Sequence, residues 1–206
     1  MAQVLIPMQI EGFLKIFDPA SGEVFVDKKN AIHYENMSIA LANALSNRGT
    51  GAIYKMAFGN GGSSIDQTGV ITYLPPNVTG PSATLYNQTF AKVVDDTNIS
   101  NTNPSRNKMS ISHPLGKVYS DIIVSCLLDY SEPAGQMAFD NGTETQTPYV
   151  FDELGLMSFD GITENGDELT KMLTHVIFHP VQKSLNRQIQ IDYTVRIQSL
   201  TNLITG

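Results

Sequence analysis

The C-terminal part of the chain alternates between apolar and polar residues more regularly than any other segment. Between Gln188 and Gln198, every second side chain is apolar and the residues between them are polar. The apolar set is Ile189, Ile191, Tyr193, Val195 and Ile197. Because successive side chains of a strand point to opposite faces of a sheet, this pattern predicts a long strand with one buried face and one solvated face. The apolar face must pack against another element of the chain or of a neighbour.

Several other segments have the composition of strands, with turn residues between them. We expect 12–17 and 23–26 to form a hairpin, 117–130 to be a central strand, and 170–179 to end at Pro180 and pair with the final strand. The remaining predicted strands are 52–58, 69–74, 85–94, 109–112 and 151–159. Eight or more strands at this spacing predict a mainly β fold, an antiparallel β-sandwich or jelly-roll-like domain.

One short helix is expected, at about residues 35–47. Ile39, Leu41 and Leu45 recur at roughly helical spacing, Asn36 is placed to cap the start, and Gly49 follows the end. We expect the helix to lie across a sheet. The pattern leaves open a single sandwich or a sheet with a covering helix. It indicates one β-rich domain over residues 1–206, with residues 1–11 as an N-terminal arm.

Charge is sparse and acidic. Charged residues make up 16% of the chain, against roughly 25% in ordinary soluble domains. Ser, Thr and Asn number 48 against 33 charged residues. A surface with few ions loses little hydration energy when a neighbour covers it. The formal net charge is −7 and no Lys/Arg cluster occurs, so we expect no nucleic-acid partner.

The chain has a single cysteine and no long apolar run. Cys126 lies within an apolar segment at 121–128, which predicts a buried core thiol and excludes an internal disulfide framework. No run approaches the roughly 20 apolar residues of a membrane span. The first seven residues lack the basic and long apolar parts of a signal peptide. We therefore expect no membrane partner.

Two histidines and a group of carboxylates are candidate metal ligands. His175 and His179 lie in a β-forming segment, where they would share a face but sit roughly 13 Å apart, too far for one ion; we expect them to be surface or interface polar residues. The carboxylates fit plain turns better than calcium-loop spacing or a glycosidase pair. They are Asp152, Glu153, Asp160, Glu164, Asp167 and Glu168. We predict no metal and no cofactor.

The remaining motifs do not indicate catalysis. The segment Gly59–Gly62 lacks the Lys-Ser/Thr of a phosphate-binding P-loop and no helix pattern follows it, so it predicts a tight exposed loop. The chain contains no Gly-x-Ser-x-Gly motif and no visible nucleophile–base pair. We predict that the protein is not an enzyme.

The first sixty residues carry an ordered set of elements. A hairpin with Asp18-Pro19-Ala20-Ser21-Gly22-Glu23-Val24 leads to Lys29-Asn30-Ala31-Ile32-His33. A helix at 38–45 and the segment Ile53-Tyr54-Lys55-Met56-Ala57-Phe58-Gly59-Asn60-Gly61-Gly62 follow. This order resembles small virion structural proteins of tailed bacteriophages, in which an N-x-I element, an Ala/Leu helix and a strand ending in Gly-x-Gly recur. The segment 151–156 and the C-terminal strand look similar too. The resemblance covers about a quarter of the chain and carries no catalytic residue.

The resemblance implies a non-enzymatic structural protein of a tailed phage particle, assembling as multiple copies in a symmetric neck, collar or tail substructure. Its partners would be further copies and other virion proteins, and its location the virion, assembled in the host cytoplasm. An alternative is a carbohydrate- or receptor-binding β-sandwich of a fibre or decoration module. A third hypothesis is a cell-wall hydrolase.

Interface regions are expected at the N-terminal segment, the C-terminal strand with its tail, and the loops 95–107 and 131–148. The segment Val4–Ile10 fits either an interface arm or an ordinary edge strand, and the loops fit either contacts or solvated turns. The predicted interface residues are Val4, Leu5, Ile6, Met8, Ile10, Tyr193 and Arg196.

Overall fold

The computed structural model describes residues 8–133 and 149–199, which form twelve strands and one helix. Helix α1 spans Tyr34–Leu45. The strands are β1 (Met8–Phe17), β2 (Val24–Ile32), β3 (Ile53–Gly59), β4 (Ser63–Ile65), β5 (Ile71–Tyr73), β6 (Gln88–Val93), β7 (Lys108–Ser112), β8 (Tyr119–Leu128), β9 (Tyr149–Ile162), β10 (Glu168–Met172), β11 (Thr174–Lys183) and β12 (Ile189–Ser199). The predicted class, mainly β and antiparallel with one short helix, is confirmed.

One large antiparallel sheet dominates the fold. Its order is β6-β3-β9-β11-β2-β1-β12-β8-β7, with β10 beside β9, and β4 and β5 form a separate ribbon. The sheet curls into a half-barrel, sandwich-like shape. Both halves contribute to one core, so strands distant in the sheet order face each other. Its buried members include Leu14, Ile16, Met56, Phe58, Val124, Leu128, Phe151, Leu156, Ile191 and Tyr193.

A buried lysine joins the two ends of the curled sheet. Lys92 lies in β6, at one edge of the sheet, and is 9% exposed. Its Nζ donates to the carbonyl of Leu127 in β8 at 2.7 Å and pairs with Glu132. Because β8 is the second strand from the opposite edge, these bonds span the open side of the half-barrel. A buried cation needs such partners to offset its lost hydration.

The alternating C-terminal segment forms β12, and its apolar residues are buried from Ile189 to Val195. The expectation that it pairs with the preceding strand is wrong. Strand β12 pairs with β1 on one side and with β8 on the other, whereas β11 pairs with β9 and β2. Both edges of β12 are therefore occupied by strands distant in sequence. The predicted central strand, β8, lies between β12 and the edge strand β7.

The segment predicted as one strand ending at Pro180 is two strands. β10 ends at Met172, β11 begins at Thr174, and β11 continues through Pro180 to Lys183. Pro180 falls in a register irregularity between Ile177 and Val181, where a missing ladder donor is tolerated.

Helix α1 begins at a histidine cap. The Nδ1 of His33 accepts from the backbone N–H of Asn36 at 3.2 Å. Asn36 is thus not the cap that the sequence suggested; its buried side chain donates to the carbonyl of Met172 at 3.0 Å. The helix packs on the sheet through Met37 and Ala40, which belong to the core, as the prediction of a helix across a sheet required. Within the described ranges, no helix is long and apolar enough to span a membrane.

Candidate functional site

A cleft lies between β2 and β11. These strands pair only through Ile32 with Thr174 and Ala31 with His175. Beyond these two pairs, β2 continues along β1 and β11 continues along β9. Two strand edges therefore face each other across a gap in the middle of the sheet, closed at one end by the two pairs.

The backbone groups that face the gap follow from ladder alternation. The N–H of His33 donates to the carbonyl of Leu173 at 2.9 Å, which places odd-numbered residues of β2 toward β11. The N–H and C=O groups of Asp27 and Lys29 therefore point into the cleft, while those of Lys28 bond to β1. On the other side, the carbonyl of Ile177 faces the cleft, where Lys28 Nζ donates to it at 2.7 Å.

The cleft has a volume of about 510 Å³. It is lined by consecutive residues of both strands, 25–31 on β2 and 176–179 on β11. Since side chains alternate between faces, lining by consecutive residues places the cavity between two backbone edges and not on one face. Neighbouring strands lie roughly 4.7–4.9 Å apart, so an added strand requires the two edges of the cleft to be separated by about twice that distance.

Asn30 adds a polar group at the closed end of the cleft. Both amide atoms of its side chain are buried and have no hydrogen-bond partner among the described residues. The side chain lies over Gly12 of β1, where an added Cβ would come within 1.6 Å of Asn30 Oδ1. Glycine at position 12 is what leaves room for this amide. The amide of Asn30 therefore keeps an unused donor and acceptor beside β1.

The ribbon of β4 and β5 forms a further wall of the cleft. Tyr73, Leu74 and Pro76 line it, and the hydroxyl of Tyr73 is 3.2 Å from Nδ1 of His179 on β11. His179 is exposed, as the sequence predicted. The ribbon forms one face of the cleft, beside the edge of β11.

Asp152 of β9 holds the start of this ribbon. Its two carboxylate oxygens accept from the backbone N–H groups of Gly62 at 2.9 Å and Ser63 at 2.8 Å. A Cβ on Gly62 would lie 3.0 Å from Ile177. The glycine segment, predicted to be a tight exposed loop, is instead packed onto β9 with Gly59 and Gly62 buried. Its backbone does bind anionic groups, but they are the chain's own carboxylates.

Glu153 and His175 form a fully buried pair beneath the same loops. Nε2 of His175 lies 3.0 Å from Glu153 Oε2, and both side chains are 0% exposed. The N–H of Asn77 donates to His175 Nδ1 at 2.8 Å, so Nε2 carries the ring proton. The expectation of a surface histidine at 175 is wrong, because this side chain completes the hydrogen bonding of a buried carboxylate.

Glu153 also ties two backbone segments to β9, one at Gly61 and one at Tyr86 and Asn87. It accepts from Gly61 at 3.1 Å, Tyr86 at 2.9 Å and Asn87 at 2.8 Å. Burial raises the pKa of the Glu153 carboxyl, but the bonds from His175 and the three N–H groups outweigh it and hold this pKa below its usual range. The carboxylate stays ionised and anchors the segments beside the cleft.

The predicted interface residues do not form one surface. Tyr193 is 0% exposed within the core, which corrects its assignment to an interface. Arg196 makes two 2.8 Å bonds to Asp121 and stacks 3.9 Å from the Tyr119 ring. Met8 is 66% exposed and Ile10 packs against the core. Val4, Leu5 and Ile6, most of the loop 131–148, and the tail 200–206 lie outside the described residues.

The other predicted positions are ordinary parts of the fold. Cys126 is buried, as expected. Glu168 bonds to Tyr54 and Lys55, and Asp160 pairs with Lys171 at 2.8 Å. Among residues 8–133 and 149–199, no group of three or more potential ligands is placed to hold a metal ion.

Sequence reasoning missed the cleft, because its defining event is the divergence of two strands more than 140 residues apart in the chain. The sequence holds only an indirect signal for the loops beside the cleft. Two adjacent acidic residues at 152 and 153 lie in a predicted strand, and they need donors such as the backbone N–H groups of the glycine-rich segment 59–62. Comparison with known protein families, characterised proteins and solved structures finds no match.

Proposed function

We propose that this chain is a non-enzymatic structural subunit of a tailed phage particle. It assembles as multiple copies in a symmetric neck, collar or tail substructure, and an extended segment of a neighbouring copy adds as a strand in the β2–β11 cleft. The observation that carries this proposal is the pair of facing backbone edges, with the N–H and C=O groups of Asp27 and Lys29 on one side and Ile177 on the other.

Strand addition suits these edges for a physical reason. Main-chain hydrogen bonds to an open sheet edge supply affinity, and pockets for alternate side chains supply specificity. Here two edges face the same gap, so one added strand gains a ladder on both sides. In the single chain, Lys28 Nζ donates to the carbonyl of Ile177. A backbone N–H of the added strand would take the place of this lysine donor.

The charges at this edge are balanced. Lys28 and Lys29 lie on the exposed part of β2 beside Asp27, and Lys29 pairs with Glu11 at 2.9 Å. A neighbouring copy, whose formal net charge is −7, therefore meets little net charge at this edge. Few other ions need to be desolvated, since only 16% of residues are charged.

The test is the molecular mass in solution, by light scattering over a range of concentrations, for the unmodified protein and two variants. Lys29→Pro removes the cleft-facing N–H of β2 and leaves the β1 ladder, which uses even-numbered residues. Lys29→Ala removes the same side chain and its 2.9 Å pair with Glu11 but keeps the N–H. We expect a discrete multimer for the unmodified protein and for Lys29→Ala, and a shift toward monomer for Lys29→Pro.

Melting curves of the two variants separate assembly from folding. Pro at an edge position that donates to no ladder within the chain leaves a folded protein. A monomer at every concentration, or equal multimers for Lys29→Pro and Lys29→Ala, would contradict the proposal.

A further inference from the structure

A second concave surface lies beside helix α1. It is a groove of about 270 Å³ between the helix and the β7–β8–β12 end of the sheet, and all of its lining residues are apolar or glycine. Among them are Met37, Leu41, Ile53, Ile122, Val195 and Ile197. Its volume is below the roughly 300–1,000 Å³ of small-molecule sites, so it fits aliphatic side chains better than a cofactor.

Strand β1 begins close to the rim of this groove. It pairs with β12 through Ile10 with Ile197 and Met8 with Ser199, and Ile197 itself lines the groove. The first described residue, Met8, is therefore two positions from the residue that pairs with the groove lining. Residues 4–6 are within four positions of Met8, a reach of at most about 14 Å.

The sequence of this segment matches the groove. Val4, Leu5 and Ile6 form an uninterrupted apolar run followed by Pro7. Proline lacks the N–H needed to extend the ladder with β12, and it restricts the residue before it to an extended conformation. Pro7 therefore disfavours continuation of the β1–β12 ladder into residues 4–6 and leaves this apolar run available for a contact other than β12.

We propose that residues Val4–Ile6 dock in the α1 groove of their own chain, with Val4 and Ile6 toward the helix. Alternation along β1 supports this orientation, because Val4 and Ile6 have the same parity as Ile10, which packs against the core. Residues 200–206 follow Ser199, the residue that pairs with Met8, and are the other chain segment adjoining this end of the β1–β12 pair. Their apolar residues are interrupted by Thr and Asn, which makes them the weaker match and a matched control.

The experiment compares two truncations of equal length. One lacks residues 1–7 and starts at the natural Met8; the other lacks residues 200–206 and ends at Ser199. Loss of the docked segment exposes the groove, so we expect the first truncation to bind an apolar fluorescent dye several-fold more strongly and to unfold at lower urea. The second truncation is expected to resemble the full chain.

A synthetic peptide of residues 1–7 then tests the site directly. We expect it to bind the chain that starts at Met8 with one-to-one stoichiometry and to bind the full chain at least ten-fold more weakly. In the truncated chain, Ala44→Asp places a charge in the groove lining, whereas Ala42→Asp places the same charge on an exposed helix position that does not line it. Peptide binding should fall at least ten-fold for Ala44→Asp and persist for Ala42→Asp.

Three results would overturn the inference. The first is unchanged dye binding together with no peptide binding by the chain that starts at Met8. The second is an equal or larger effect from the C-terminal truncation. The third is conversion of a multimer to a monomer by removal of residues 1–7, which would place the segment on a neighbouring copy. The mass of the Lys29→Pro variant is independent of all three, so failure here and failure of the cleft proposal are distinguishable.

Discussion

His175 donates from Nε2 to Glu153 Oε2 at 3.0 Å, and neither side chain is exposed. This pair is the centre of the network that positions the ribbon and loops beside the β2–β11 cleft. The carboxylate has four donors around it, three of them backbone N–H groups of loop segments. Removing the charge from this acceptor should therefore loosen the cleft wall as well as the core.

Glu153→Gln should destabilise the fold. Each carboxylate oxygen accepts from two donors, so a carboxamide, which replaces one oxygen by an NH₂ group, leaves two donors without an acceptor. We expect a loss of about 1–3 kcal/mol in the free energy of unfolding, measured by urea denaturation. Glu164→Gln, on an exposed turn, is the control and should stay within about 0.5 kcal/mol of the unmodified protein. Equal stabilities for the two variants would show that the network contributes nothing.

The same carboxyl should make stability depend on acid. Its folded pKa lies below the ordinary value of 4.5, so as pH falls the unfolded chain takes up the proton first. The network therefore stabilises the fold fully above about pH 4.5, and this contribution is lost as pH falls through the folded pKa. Urea midpoints between pH 3 and pH 6 should fall more steeply for the unmodified protein than for Glu153→Gln. Parallel curves would contradict this assignment.

Lys92→Met should open the half-barrel. The substitution keeps the aliphatic bulk but leaves the carbonyl of Leu127 without its 2.7 Å donor and Glu132 without its cation. We expect a loss of about 1–3 kcal/mol in unfolding free energy, because a buried acceptor stays unsatisfied. Lys108→Met, on the exposed edge strand β7, removes a lysine without such partners and should have little effect. Similar losses for both would mean that the bond across the sheet ends is not stabilising.

Cys126 should report unfolding by its reactivity. Burial raises the pKa of its thiol to about 12, and the thiolate is the reactive form. At pH 8, a thiol reagent should label the denatured chain, and over the same time we expect no labelling of the native protein. Labelling rates should rise with urea in step with the unfolded fraction. Rapid labelling without urea would show that the β8 region opens locally.

The sequence predicted well those elements whose signal is local. The alternation at 188–198 identified β12, and the turn residues Asp18 to Gly22 identified the β1–β2 hairpin. Helix α1 was placed within two residues at each end. In each case the pattern is set within one element. Alternate residues of a strand lie on one face, and the residues of a turn bond to one another.

Pairing and the site needed information that local patterns do not carry. The pairing of β12 with β1 and β8 depends on how the whole sheet curls. No feature of β11 shows that β12, the next strand in sequence, pairs with other strands. Glu153 and His175 are 22 residues apart and match no motif. The cap at His33 was missed because Asn is the commoner cap residue and imidazole is rarely one.

Amide hydrogen exchange at β2 tests the central claim most directly. The N–H groups of Lys28 and Asn30 bond to β1 within the chain, whereas those of Asp27 and Lys29 face the cleft. The account predicts slow exchange for Lys28 and Asn30 at every protein concentration. For Asp27 and Lys29 it predicts fast exchange in dilute solution and slow exchange once the multimer forms. A multimer in which Asp27 and Lys29 still exchange fast would contradict strand addition in the cleft.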